Sequence, residues 1–246
     1  MRFEIIHQHY VKFIELAHHT GWPNARRPQP WARGIGADLH FVEALSNNQE
    51  GRDYLKKLCA ETSVPPEVCF LAIMAWGGMK SDHGRLAWQL RDKWTPIISD
   101  LRKGQIERKE AYSRFRAFRN ENPRCGFGPA YFTKLIFFTS PRHDGYIMDQ
   151  WTSISLNKLV TFSSRPIVSL IRGQTRGRLS YSVSDTNGSD GYEIFCQGIE
   201  FLANQKDIIE TFKSTHPEDI EMRMFSFGGR NPAAWRNYIK ENLAAD

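Results

Sequence analysis

The chain has 246 residues, enough to bury a sizeable core in one large or two closely packed domains. Lys and Arg total 33 against 27 Asp and Glu, a formal charge of +6 with a sequence pI of about 9.2, which favours a polyanionic partner without establishing one. No stretch approaches the roughly eighteen apolar residues of a membrane span, and the opening MRFEIIHQHYVKF breaks its apolar run with charges and histidines, so neither a membrane protein nor a signal peptide is expected and the cytoplasm is the expected location.

The four cysteines, Cys59, Cys69, Cys125 and Cys196, are scattered without a Cys-x-x-Cys pair and read as reduced thiols. The sequence has no P-loop, HExxH, zinc-finger spacing or GxSxG elbow, so no metal site is expected. Repeats, heptads and low-complexity tracts are absent as well.

From Phe3 to His19 the apolar residues Phe3, Ile6, Tyr10, Phe13, Ile14 and Ala17 form a helical stripe, with His18 and His19 as a surface pair. Gly21 to Gly36 reads as a Pro-, Arg- and Trp-rich loop carrying Arg26, Arg27 and Arg33, with Arg52 beyond the next helix. Such a loop either touches a phosphate backbone or wraps the surface, and the sequence does not separate the two. Short helices are predicted over Ala37–Asn47 and Glu50–Thr62. Glu67 to Trp76 is apolar on all sides, which predicts a central core helix, stopped by Gly77-Gly78.

The stretch MAWGGMKSDHGR then gathers Trp76, Lys80, Asp82, His83 and Arg85 near one helix end. It is either the rim of a cleft or a loop held by its own hydrogen bonds. Leu86 to Gly104 predicts a helix interrupted near Pro96. Ile106 to Phe118 predicts another, with Arg108, Arg114, Arg116, Arg119 and Arg124 around Tyr112, Phe115 and Phe118. Those arginines either neutralise phosphates or form a solvated face.

The most informative stretch is Arg124 to Trp151. Gly126-Phe127-Gly128 makes a tight turn, Pro129 suits the first position of a helix, and Ala130 to Phe138 continue it with one buried face. The N–H groups from Gly126, Gly128 and Ala130, with the positive end of the helix dipole, suit a phosphate. After a short loop, Asp149 stands at the N-cap position of a helix running to about Leu159.

Beyond it, Val160 to Gly177 predicts a helix followed by a basic loop at Arg172, Arg176 and Arg178. Ser180 to Tyr192 is turn-rich. Helices are predicted over Glu193–Asn204, Asp207–Ser214 and Glu218–Phe225, and a last one after Pro232 carries Trp235 and Ile239. The predicted fold is mainly α-helical: one compact unit over residues 1–246, built as two helical lobes with a cleft, the hairpin and Asp segment occupying 106–159.

A Gly-x-Gly hairpin, a helix and then an Asp capping the next helix is the pattern of helix-hairpin-helix DNA glycosylases, and this segment most nearly resembles their 8-oxoguanine DNA glycosylase branch. The resemblance implies that Gly126, Phe127, Gly128 and Ala130 bind a DNA phosphate and that Asp149 is catalytic. It implies double-stranded DNA as partner, a monomer, no required cofactor and a monovalent cation at the hairpin. Lys80, Asp82, His83, Trp76, Trp151, Phe227 and Arg230 become candidates for the base pocket, as do Phe225 and Trp235 from the C-terminal helices, although core packing is the safer account of Trp235. The cysteine spacing excludes the four-cysteine iron–sulfur site that some members carry.

One departure matters. Bifunctional members place a nucleophilic Lys two residues after the second hairpin glycine, where this chain has Ala130. Lys134, one turn further on the same face, is either a displaced nucleophile or a solvated or phosphate-facing lysine. The expected activity is therefore hydrolysis of an N-glycosidic bond to an abasic site. Glucosylated hydroxymethylcytosine of phage DNA, oxidised or alkylated bases such as 8-oxoguanine, and a non-catalytic clamp on DNA are the competing readings.

Overall fold

The computed structural model describes residues 2–18, 25–175, 178–228 and 231–243. The chain forms two compact units, one of Trp22–Tyr146 and one of Met1–Gly21 with Ile147–Asp246. The segment 106–159 runs across the boundary between Tyr146 and Ile147. Fourteen helices and four short strands account for most of the described residues, so the fold is mainly α, as predicted. No described helix is long and apolar enough to cross a membrane.

The chain opens with strand β1 (Phe3–Ile5), which pairs antiparallel with β2 (Val160–Phe162), Phe3 opposite Phe162. The predicted helix therefore starts late, as α1 (His7–Leu16), with His9, Tyr10 and Phe13 buried. A partner strand 157 residues away overrides the local period (Glu4 to Thr161). His18 is exposed, and His19 lies outside the described residues.

The unit Trp22–Tyr146 is all helical. Its first helix corrects the sequence reading: α2 (Pro28–Ile35) stands where a loop was expected, opened by Pro28 and closed by Gly36 in the left-handed conformation (φ 79°). Burial of Trp31, Ala32 and Ile35 outweighs the two prolines, which sit in the first turn and so cost it nothing. Then come α3 (Leu39–Glu43), α4 (Arg52–Ala60) and α5 (Pro66–Trp76), which is buried from Val68 onward.

The polar stretch after α5 is a helix as well, α6 (Ser81–Gln89), followed by α7 (Arg91–Arg102). The break falls at Leu90, and Pro96 stays inside α7. Proline removes one backbone bond there, while Trp94, Ile97, Ile98 and Leu101 are buried along the same helix.

α8 (Arg108–Glu121) and α9 (Pro129–Thr139) form the helix-hairpin-helix. Aromatic rings knit this unit: Phe70 stacks on Trp94 at 4.4 Å, and Phe115 stacks on Phe132 at 5.6 Å.

The other unit resumes with α10 (Gln150–Leu159). The helix predicted after Val160 is absent. β2 is followed by a hairpin of β3 (Leu170–Thr175) and β4 (Arg178–Val183), Leu170 opposite Val183. Two asparagines fix the irregular backbone around it. The Asn157 side chain accepts from the Ile167 and Val168 N–H groups and donates to the Val168 carbonyl. Asn187 similarly accepts from Ser169 N and donates to the Ser169 and Ser184 carbonyls.

Helices α11 (Ser189–Ala203), α12 (Lys206–Phe212), α13 (Pro217–Phe225) and α14 (Ala234–Glu241) complete this unit, α11 starting four residues before expectation and the others within about two. Phe13 of α1 packs edge-on against Trp235 of α14 at 5.1 Å. All four cysteines are buried, and none is in a disulfide.

Candidate functional site

The hairpin begins where α8 stops. Cys125 N donates to the Asn122 carbonyl at 3.0 Å, and the Arg119 guanidinium holds the Pro123 carbonyl. Gly126 has φ +66°, and a Cβ there would lie 2.8 Å from His83 Cβ and Cγ. Glycine is needed twice over, for the backbone sign and for the space. Phe127 points inward with no exposed surface, ringed by Phe70, Phe115 and Phe118. Gly128, at φ −89° and ψ −176°, has extended backbone open to any residue. It is the N-cap of α9 and brings no side chain; Pro129 has no N–H and Tyr131 N bonds the Gly128 carbonyl, so the Ala130 N–H and the positive end of the helix dipole are what this end offers an anion.

His83 sits against Gly126, edge-on to Tyr131 at 6.2 Å, and its buried Nδ1 has no hydrogen-bond partner among the described residues. Burial raises the Tyr131 phenol pKa, opposed by a hydrogen bond from the Lys80 backbone and by Arg26. Lys80 and Asp82 are exposed at the start of α6. The Asp82 carboxyl titrates below its usual range, chiefly because the His83 backbone N–H bonds to it. The cluster Lys80, Asp82 and His83 is thus gathered beside the hairpin, whereas Trp76 is buried, edge-on to Phe138 and under the Arg52 guanidinium.

Lys134 departs from its solvated reading. It is 4% exposed, and a Cβ on Gly77 would come within 2.6 Å of its Cδ, so the stem runs across that glycine. Its ammonium turns back one helical turn to the Ala130 carbonyl at 2.5 Å, 5.7 Å from the Tyr131 ring centre. Several arginines of α8 are engaged within the protein too. Arg114 binds Asp100 and Glu110, Arg119 holds Pro123, and Arg108 donates to the Asp144 carbonyl. Arg124 is exposed next to the turn.

Asp149 belongs to the other unit and caps α10 as the sequence predicted. Its Oδ1 accepts from the N–H groups of Trp151 (2.7 Å) and Thr152 (2.9 Å). The residue is 8% exposed, and among the described residues Oδ2 accepts no hydrogen bond. One oxygen is fixed and the other is spare. Beside it, the Gln150 amide oxygen accepts from the Trp151 indole N–H at 2.7 Å, while its nitrogen donates to the Tyr181 carbonyl of β4 at 2.6 Å. Ser155 ties α10 to its neighbours, donating to the Met224 carbonyl at 2.8 Å and accepting from the Trp235 indole at 3.1 Å.

The sequence reading missed Arg236. It looks like a solvent-facing helix residue next to Trp235, yet it is 4% exposed. Its guanidinium lies 3.9 Å from the Trp151 ring centre and 5.1 Å from that of Phe225, and it donates to the Phe225 and Ser226 carbonyls. Burial lowers its pKa to about 10, with the charge of Asp149 acting the other way. Phe227 is half-buried in the same α13–α14 connection, and Arg230 lies outside the described residues.

Ser226 ends α13 at φ +47° and ψ 142°, and its buried hydroxyl has no partner among the described residues. That backbone region strains any L residue by about 1–3 kcal/mol. Ser226→Gly is expected to raise stability by about 1 kcal/mol, or roughly 2–4 °C in Tm for a chain of this size. A melting curve unchanged or lowered by the substitution would show that the turn carries no strain.

Comparison with protein families gives one match, to the family described as "Putative 8-oxoguanine DNA glycosylase OGG-like protein", over residues 6–225. No curated protein and no solved structure matches the chain. The match takes in the hairpin and Asp149 and stops at the end of α13. The chain, itself mainly helical, therefore belongs to the OGG-like 8-oxoguanine DNA glycosylase family.

Proposed function

We propose that this DNA glycosylase is monofunctional, hydrolysing the N-glycosidic bond of a flipped modified base and leaving an intact abasic site. The observation that carries the reading is Asp149, a buried N-cap carboxylate with one oxygen held by two amides and the other unengaged among the described residues. A base stacked in a duplex is out of reach, so it is turned out at a cost of a few kcal/mol. Breaking the bond leaves positive character on the deoxyribose, which an ionised carboxylate stabilises while orienting the attacking water. A non-catalytic clamp on DNA would use the capping oxygen of this carboxylate but has no use for the second.

The hairpin takes the phosphate through the backbone at the start of α9. The monovalent cation that the resemblance implies would sit on backbone carbonyls of the hairpin, and the mechanism requires none. As the excised base we infer glucosylated hydroxymethylcytosine of phage DNA, in antiviral defence. The Ala at position 130 sets the chain apart from lysine-using 8-oxoguanine enzymes, which weakens that substrate. Repair of 8-oxoguanine is the second reading, favoured by the family's description.

The absence of an amine nucleophile is tested with borohydride, which traps the Schiff base formed when lysine attacks the sugar. With Ala130 in that place and the Lys134 ammonium held by the Ala130 carbonyl, no protein–DNA adduct is expected. The strand stays whole until heat or alkali breaks it. Lys134→Ala is run in parallel. An adduct formed by the wild type and lost in that variant would make Lys134 the nucleophile and the enzyme bifunctional.

A further inference from the structure

A buried arginine with no carboxylate in contact is a costly residue. Its charge has left water, and its N–H groups need acceptors. Apolar residues of similar volume often fill such positions without loss of stability. Arg236 nevertheless sits at 4% exposure, held by two backbone carbonyls and two aromatic faces. One carbonyl belongs to Ser226, whose backbone is in the left-handed region. Desolvation pulls its pKa down to about 10, and the coupling to the Asp149 charge comes without direct contact.

What this arrangement controls is Trp151. Two residues after Asp149, its backbone N–H binds the carboxylate, its indole N–H binds Gln150, and one ring face lies on the guanidinium. Three separate contacts fix a half-buried ring next to the proposed reacting centre. An aromatic face of that kind stacks any base, whatever its hydrogen-bonding edge.

We propose that Arg236 is a positioning residue for base excision, locking the Trp151 indole so that its opposite face receives the flipped base. The inference rests on the glycosylase reading. The ligand it implies is the π-face of a base bearing a bulky substituent, since stacking leaves the ring edges unconstrained.

The test compares wild type, Arg236→Met, Arg236→Lys, Trp151→Ala and the double variant Trp151→Ala/Arg236→Met. Single-turnover base release is measured on duplexes carrying glucosylated hydroxymethylcytosine or 8-oxoguanine. Binding is measured on a duplex with a tetrahydrofuran abasic analogue, which has no base to stack. Arg236→Met is expected to slow release about 10- to 100-fold, the loss of one base–aromatic stack. Its Kd for the abasic duplex should stay within about two-fold, because phosphate contacts set that affinity.

Arg236→Lys keeps a cation under the ring and should recover part of the rate. Adding Arg236→Met to Trp151→Ala should cost nothing more, the signature of one residue acting through the other. Additive losses, or an Arg236→Met rate equal to wild type, overturn the inference and leave the glycosylase reading intact. If Arg236→Met does not fold, Arg236→Lys decides alone. A rate loss without a change in abasic-duplex affinity supports the role, and an unchanged rate ends it. Absence of base release by the wild type on every duplex would instead remove the glycosylase reading and this inference with it.

Discussion

Asp149→Asn is expected to cut base release by at least about a hundred-fold to a thousand-fold, while the protein stays folded and still binds DNA. The geometry makes this an unusually clean substitution. Oδ1 of Asp149 accepts both cap hydrogen bonds, from Trp151 N and Thr152 N, and the carbonyl oxygen of an asparagine can accept the same two. Asn is as good an N-cap as Asp, so the start of α10 should lose little. What disappears is the charge proposed to face the sugar. Asp149→Ala is the control for the opposite case, losing the cap as well and costing about 1 kcal/mol of stability. Single-turnover rates and melting curves of the two variants separate charge from capping. An Asn variant as active as the wild type would end the catalytic assignment.

The two hairpin glycines should respond differently from each other. Gly126→Ala forces an L residue to φ +66° and drives a Cβ to 2.8 Å from His83. The left-handed backbone costs about 1–2 kcal/mol and overpacking about 1–3 kcal/mol. A fall in Tm on the order of 10 °C follows. Gly128→Ala carries no such penalty in its backbone, which is already extended at φ −89°. Its cost should appear in DNA binding instead, as an added methyl keeps the phosphate away from the helix end.

Loss of one charge-assisted hydrogen bond weakens binding by about ten-fold or more, equally for all sequences. Filter binding across a salt series checks this alongside thermal melts. Gly128→Ala with wild-type affinity would remove the hairpin from the DNA interface. A Gly126→Ala protein that melts like the wild type would contradict the packing against His83.

The helices were legible where the apolar period was strong and local. α5, α8, α9 and α11 lie within a few residues of expectation, and Asp149 caps α10 because an Asp ahead of an apolar run has one cheap use for its carboxylate. The failures share a cause. Phe3–Ile5 and Val160–Phe162 become strands only because they meet each other, and β3 and β4 follow from the Asn157 and Asn187 clamps. Pro28 and Pro30 marked a loop by composition, yet α2 uses them in its first turn and buries Trp31.

In the candidate site, the hairpin and Asp149 were readable from spacing. Arg236 was not, because no local pattern tells a buried guanidinium from a solvated one. The burial of Lys134 depends equally on the absence of a side chain at Gly77, 57 residues away in sequence (77 to 134).

The central claim is release of a free base with the sugar–phosphate backbone left whole. The most direct measurement is mass spectrometry of the small molecules released when wild type and Asp149→Asn are incubated with a panel of DNAs: phage genomes containing glucosylated hydroxymethylcytosine, duplexes with 8-oxoguanine or alkylated bases, and unmodified DNA. The account predicts a modified base released by the wild type alone, with an equal number of alkali-labile abasic sites and no release from unmodified DNA. DNA that is bound but yields no base from any member of the panel, or a base released equally by both proteins, would contradict it.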